Sequence, residues 1–253
     1  MRAICIEYPF NFWLSPTIMR LLLFDIDGTL VWTRGAGRAA MQDALVSLFE
    51  ADITLRERLK TRVEKHVFGG KTDWLTLTEL LADDGFSHDD IMHIMPVFTR
   101  AMGASMETAV QAYDVQPCPS ALEVIAGLRS RSDIRLGLVT GNVSSSAPFK
   151  LAAAGFDPHD FGIGAYGDDA LHRDDLPLIA MRRASQHFRH EFTADDTIII
   201  GDTLADIQCA RACGMRVAAV CTGFGGRDEL SAAQPDWLID DLSGFIDSVL
   251  FEI

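Results

Sequence analysis

Asp25 and Asp27 close a short apolar run, Leu21 to Phe24, and are followed at once by Gly28 and Thr29. Thr140-Gly141-Asn142 closes a second run, Ile134 to Val139. Gly201-Asp202 closes a third, Thr197 to Ile200, with Asp206 four residues further on. Side chains alternate along a strand, so Asp25 and Asp27 can share a direction while Ile26 packs elsewhere. Two acids at i and i+2 behind apolar residues repel each other unless something cationic sits between them. Asp-Gly is also an ordinary turn signal, and a single carboxylate there would carry no meaning. The repetition of polar groups at three run ends carries the argument.

The elements that must position these groups follow from periodicity. Short, continuous apolar runs are the pattern of strands buried on both faces of a parallel sheet. From residue 121 onward such runs alternate with helical patterns: helices at 121–128, 145–154, from Pro177 and at 203–213, with strands at 134–139, 161–165, 197–200 and 216–220. That alternation predicts an α/β fold, a doubly wound parallel sheet built from βαβ units. The final segment predicts a short strand and a closing helix. In such a sheet the carboxyl ends of the strands share one edge, so groups far apart in sequence converge. A carboxylate trio with a hydroxyl and free backbone amides there is a cradle for Mg²⁺ plus phosphate. The hard cation takes carboxylate oxygens, and hydroxyl and amide donors hold the anion.

Between the first strand and residue 114 the pattern is helical only. Met41, Ala44, Leu45, Leu48 and Phe49 recur at helical spacing, and the charged stretch LRERLKTRVEKHVF predicts a more exposed helix ended by Gly69-Gly70. Thr72 or Asp73 can cap a third helix, with Trp74, Leu77, Leu80 and Leu81 on its buried face. Ser87 opens a fourth, striped by Ile91, Ile94, Met95, Phe98, Met102 and Met106, which Pro96 can kink or divide. Residues 114–120, DVQPCPS, form a hinge. The expected organisation is an ill-specified extension over 1–18, an α/β domain from 19–31 and 117–253, and a helical insertion over 32–116. Met19 directly precedes the first strand, so the extension could lie upstream of a natural start.

The chain has 253 residues with a formal net charge of −14. That balance argues against nucleic acid or an anionic membrane as a partner and makes an anionic substrate depend on a local positive site. No apolar run reaches the ~18 residues of a membrane span, and no secretory signal pattern is present. Five cysteines (5, 118, 209, 213, 221) without Cys-x-x-Cys spacing read as reduced thiols. A soluble, cytoplasmic protein, monomer or homodimer, is expected.

DIDGT at 25–29, LVTGN at 138–142 and IIIGDTLAD at 198–206 occur in order, each after an apolar run and with room for an insertion between the first two. In this respect the chain resembles the haloacid dehalogenase superfamily, specifically its Asp-x-Asp phosphotransferase branch with a helical cap, similar to phosphoglycolate phosphatases. The resemblance runs from Met19 to the C-terminus. It departs from the family at the third motif, where a lysine is usual and GDDALHRDDLPLIAMRRA instead places Arg173. An always-charged guanidinium can serve there. Lys150 is the rival cation, although near the end of a helix it reads more simply as a C-terminal helix charge.

The resemblance implies roles. Asp25 would be the nucleophile forming an aspartyl-phosphate, and Asp27 the acid and then the base. Thr140, with the backbone of Gly141 and Asn142, would bind the phosphoryl group, and Arg173 would neutralise charge. Mg²⁺ would be held by Asp25, the backbone carbonyl of Asp27 and Asp202. Asp206 would act through water or by orienting its neighbours, and Thr203-x-x-Asp206 is also a capping box. Lys71, in FGGKTD, resembles a cap loop that reaches over the site, where it would meet a second anion on a small phosphorylated metabolite. Dehalogenases of the superfamily lack the second acid, so Asp27 favours phosphoryl transfer. A sugar phosphomutase on the same scaffold, and a non-catalytic metal-dependent phospho-acceptor, are the competing readings.

Overall fold

The computed structural model describes residues 19–249; the expected extension over 1–18 lies outside them. Six strands form one parallel sheet: β1 (Arg20–Phe24), β4 (Ile134–Val139), β5 (Ile163–Ala165), β6 (Thr197–Gly201), β7 (Arg216–Val220) and β8 (Trp237–Ile239). Their order is β5-β4-β1-β6-β7-β8. β1 is central and flanked on both sides by strands that come much later in the chain, which makes its carboxyl end the point where strand order reverses. Phe24 pairs in register with Leu138 on one side and Ile200 on the other. Asp25, Thr140 and Asp202 therefore leave the sheet side by side.

Both faces of the sheet are covered, as apolar strands of this kind require. Leu22, Phe24, Ile198 and Ile200 face the layer containing α5 (Ala121–Arg129) and α6 (Ala147–Ala153). Leu21, Leu23, Ile199 and Val217 face α7 (Leu176–Phe188) and α8 (Leu204–Ala212). A short helix, α9 (Arg227–Ala232), precedes β8, and a π-helical turn at Phe245–Val249 packs Phe245 on Phe24.

The helical insertion has four helices, α1 (Ala36–Leu48), α2 (Ile53–Lys65), α3 (Asp73–Leu81) and α4 (His88–Ala112), around an apolar cluster of their own. Thr72 caps α3, accepting a hydrogen bond from Leu75 N, and Ser87 caps α4. Pro96 neither divides nor ends α4, which runs through it for 25 residues. The two connections between insertion and sheet pair with each other as a small antiparallel ribbon, β2 (Val31–Trp32) with β3 (Gln116–Pro117). That ribbon has no period of its own in the sequence, because two residues per strand are too few to show one.

Candidate active site

Gly28 lets β1 end in a compact turn. Its φ is +87°, and a Cβ there would stand 2.4 Å from Asp202 Oδ2, so a side chain at this position would both strain the backbone and push the acid away. Behind the turn, Asp25, Asp202 and Asp206 are all buried, with one carboxylate oxygen of each within 4.8 Å of the others. Asp202 accepts from Thr29 Oγ1 at 3.1 Å and from Phe224 N at 2.7 Å. Asp206 accepts from the backbone N and hydroxyl of Thr203 at 3.0 and 2.6 Å, closing the first turn of α8. Its other oxygen takes the Arg173 guanidinium. Asp206 takes two donors on one oxygen and the guanidinium on the other, which places it to orient its neighbours, whereas each Asp202 oxygen takes a single neutral donor and keeps a lone pair for a cation.

Arg173 is buried, sits 3.3 Å from Asp25 Oδ2, and leaves its Nε without a hydrogen-bond partner among the described residues. One guanidinium among three buried carboxylates leaves a net negative site. Burial, with Asp206 and Asp27 adding to it against Arg173, pushes the Asp25 carboxyl up to about 6. Burial, then Asp206 and Asp25, push Asp202 well above the usual carboxylate range. Clustered oxygens whose charged forms are this unfavourable fit a divalent cation, which would remove the repulsion.

The second cation is also in the site, which corrects the simpler reading of Lys150 as a helix-end surface charge. Lys150 is 3% exposed. Its Nζ lies 2.7 Å from Asp27 Oδ2 and also donates to Asn142 Oδ1. Asn142 Nδ2 donates to the same Asp27 oxygen at 2.7 Å and to Thr140 Oγ1 at 2.7 Å, and Thr33 Oγ1 reaches Asp27 Oδ1 at 3.1 Å. Burial opposes ionisation of Asp27, but Lys150 and these donors outweigh it and hold the carboxyl below its ordinary value. Arg173 and Lys150 are therefore not alternatives: one serves Asp25, the other Asp27. The Asp27 side chain stands outside the acid trio. The available signal for Lys150 was an acid at 27 that needed a counter-charge after a single turn of helix following LVTGN.

The insertion closes over this edge. Asp73 N donates to Gly141 O at 2.7 Å and Trp74 N to Gly167 O at 3.1 Å. Val143 N donates to Asp73 Oδ2 at 2.9 Å, and Thr72 Oγ1 to Leu171 O at 2.8 Å. The approach is close enough that a Cβ on Gly141 would meet Lys71 O at 2.0 Å. Lys71 lines the resulting cavity of about 570 Å³, together with Asp25, Asp27, Thr140, Gly141, Asn142 and Arg173. Its ammonium rests on Glu79 at 2.6 Å. Two contributors had no motif to announce them: Asp73, which reads in sequence as a helix cap, and the glycine-rich loop after β7 that brings Phe224 N to Asp202.

Several known proteins are similar to this chain. A phosphoglycolate phosphatase from Nitrosospira multiformis is 28% identical over 217 residues, covering 84% of this chain and 88% of that one. One from Synechococcus elongatus is 25% identical, covering 91% and 97%. Among solved structures, CbbY from Rhodobacter sphaeroides in complex with phosphate superposes with a TM-score of 0.61 at 21% identity, over 90% of this chain and 96% of that one. A predicted phosphatase from Clostridium acetobutylicum reaches 0.62 at 17% identity, over 93% and 100%. Residues 19–214, which carry all three motifs, match the haloacid dehalogenase-like hydrolase family, and the chain belongs to it.

Proposed function

We propose that this hydrolase is a Mg²⁺-dependent phosphatase that cleaves small phosphate monoesters through an aspartyl-phosphate on Asp25. The observation that carries the reading is the convergence of Asp25, at the end of the central strand, with Asp202 and Asp206 beside the Arg173 guanidinium. The names of the phosphoglycolate phosphatases that the chain resembles support it.

Asp25 and Asp202 would hold the cation, with the backbone carbonyl of Asp27. Bound there, it supplies charge neutralisation for nucleophile and phosphoryl oxygens. The Asp25 oxygen attacks phosphorus as the bond to the leaving oxygen breaks, and the leaving oxygen takes the proton of the Asp27 carboxyl, whose protonated form the negative charge of the incoming phosphate favours against Lys150. Water then attacks the aspartyl-phosphate, giving its proton to the Asp27 carboxylate and releasing inorganic phosphate and free Asp25. Lys150, Asn142 and Thr33 orient Asp27 for both steps. The Thr140 hydroxyl, whose proton no described residue accepts, and the Arg173 guanidinium line the cavity beside Asp25 and would serve phosphoryl oxygens. Positioning and charge neutralisation supply most of the acceleration in phosphoryl transfer.

The test is Asp25→Asn, which keeps size and shape. Turnover of p-nitrophenyl phosphate should fall at least about 10³-fold, the scale of losing a covalent nucleophile, with the circular-dichroism spectrum unchanged. Retention of more than a few per cent of the activity would remove Asp25 as nucleophile.

A further inference from the structure

The acid-lined pole of the cavity is accounted for by the phosphoryl group. The opposite pole, built by the insertion, receives whatever the phosphate is attached to. Met41, Met102, Met106 and Phe68 line it. Val67, in the loop after α2, also lines it and is 73% exposed, and Phe224, 71% exposed, lines the cavity from the sheet side, where its backbone N holds Asp202. Single exposed apolar residues are ordinary. Two of them on the lining of an apolar-walled cavity mark a surface suited to an apolar ligand.

The cations at this pole are already engaged. Lys71 is held by Glu79 at 2.6 Å. Arg38 donates to the carbonyls of Val63, Glu64 and His66 and stacks on the Phe68 ring, 4.7 Å from its centroid. It thereby closes the carboxyl end of α2, where a positive charge offsets the helix dipole. His66 faces Glu79 at 3.4 Å, its Nε2 without a hydrogen bond among the described residues. Burial, then Lys71, hold its ring below the usual imidazolium range against the pull of Glu79, so at neutral pH it adds no positive charge.

We propose, resting on the phosphatase reading above, that the preferred substrate is a phosphate monoester whose leaving group is uncharged and has an apolar body longer than two carbons. A phosphorylated two-carbon acid is disfavoured on two grounds. Its carboxylate would lose water against methionine side chains with no uncommitted cation to receive it. Its small body would also leave much of a cavity of about 570 Å³ unfilled. An alkyl or aryl group gains instead from each methylene it buries, roughly fourfold in affinity per CH₂. The family resemblance suggests a second anion at Lys71, whose ammonium here is paired with the Glu79 carboxylate at 2.6 Å.

The experiment compares kcat/KM for ethyl, butyl and hexyl phosphate, 2-phosphoglycolate, glucose 6-phosphate and p-nitrophenyl phosphate, on wild type and Glu79→Gln. Glu79 is partly exposed and outside the reacting groups, so the variant keeps the fold. The expected result is a rise from ethyl to hexyl phosphate, with 2-phosphoglycolate about tenfold or more below ethyl phosphate. Glu79→Gln frees Lys71 and should raise 2-phosphoglycolate about tenfold while leaving hexyl phosphate unchanged. Wild-type preference for 2-phosphoglycolate over the alkyl esters overturns the inference and leaves the phosphatase reading standing. So does glucose 6-phosphate as the best substrate, which would call for a polar leaving group. No turnover of any ester, p-nitrophenyl phosphate included, overturns the phosphatase reading itself, and this inference falls with it.

Discussion

At the scale of single residues, the site is a set of buried charges whose pairing decides what each can do. Asp202 is the clearest case. Its carboxylate is fully buried and pressed by Asp206 and Asp25, with only the hydrogen bonds from Phe224 N and Thr29 to offset them. Removing its charge should therefore stabilise the metal-free protein while destroying its response to metal. Asp202→Asn is expected to unfold about 1 kcal/mol later than wild type in excess chelator, the scale of a relieved buried repulsion. Wild type should gain about 2.7 kcal/mol at a Mg²⁺ concentration one hundred times Kd, and the variant nearly nothing. Thermal unfolding with chelator and with excess Mg²⁺ measures both. A variant that is less stable without metal, yet gains as much with it, would count against Asp202 as a ligand. Acids and hydroxyls at the run ends were legible in the sequence because a strand end is a local feature. The Lys150–Asp27 pair was not, since it depends on how α6 lies against β1, and no local pattern reports that.

At the scale of elements, the start of α3 is the latch between insertion and sheet. Asp73 takes a hydrogen bond from Val143 N and gives one to Gly141 O, which joins the first turn of a cap helix to the loop after β4. Burial pushes its carboxyl up to about 6 from an ordinary 3.8, with Lys150 opposing. Below about pH 4 the group is protonated in both folded and unfolded chains and contributes nothing to pH dependence. As pH rises from about 4 to 6 the unfolded chain releases this proton first, so folding loses stability through that window and the full cost remains above it. Asp73 retains some exposure, which keeps that cost on the order of 1–2 kcal/mol. Asp73→Asn should leave stability at pH 4 little changed and raise it relative to wild type at pH 7, as read from urea unfolding at the two values. A difference between the two proteins that is the same at both pH values would contradict this.

The elements themselves were mostly legible. β1, β4, β6 and β7 stand where continuous apolar runs predict them, and α1 to α4 where the helical stripes do. α9 was missed because its six residues, RDELSA, carry one buried side chain, Leu230, and hence no period. Helix ends at α6 and α8 fall one or two residues inside the expected ranges, where the flanking residues serve as caps and turns.

At the scale of the whole molecule, an acidic chain gathers two buried bases, Arg173 and Lys150, at one sheet edge and closes a helical insertion over them. No described helix is long and apolar enough to cross a membrane. The parallel sheet and its interruption after β1 could be read from alternation alone, and with them the convergence of Asp25, Thr140 and Asp202. What the insertion does with Lys71 could not be read, because Glu79, two turns along α3, decides it. The central claim, that Asp25 becomes covalently phosphorylated, has a direct measurement. The protein is mixed with excess p-nitrophenyl phosphate and Mg²⁺, quenched in acid within milliseconds, reduced with borohydride and digested, and the peptides are weighed. Conversion of Asp25, and of no other acid, to homoserine is expected, with none in Asp25→Asn. A quenched enzyme turning over substrate with Asp25 unmodified, or with the label on another residue, would contradict it.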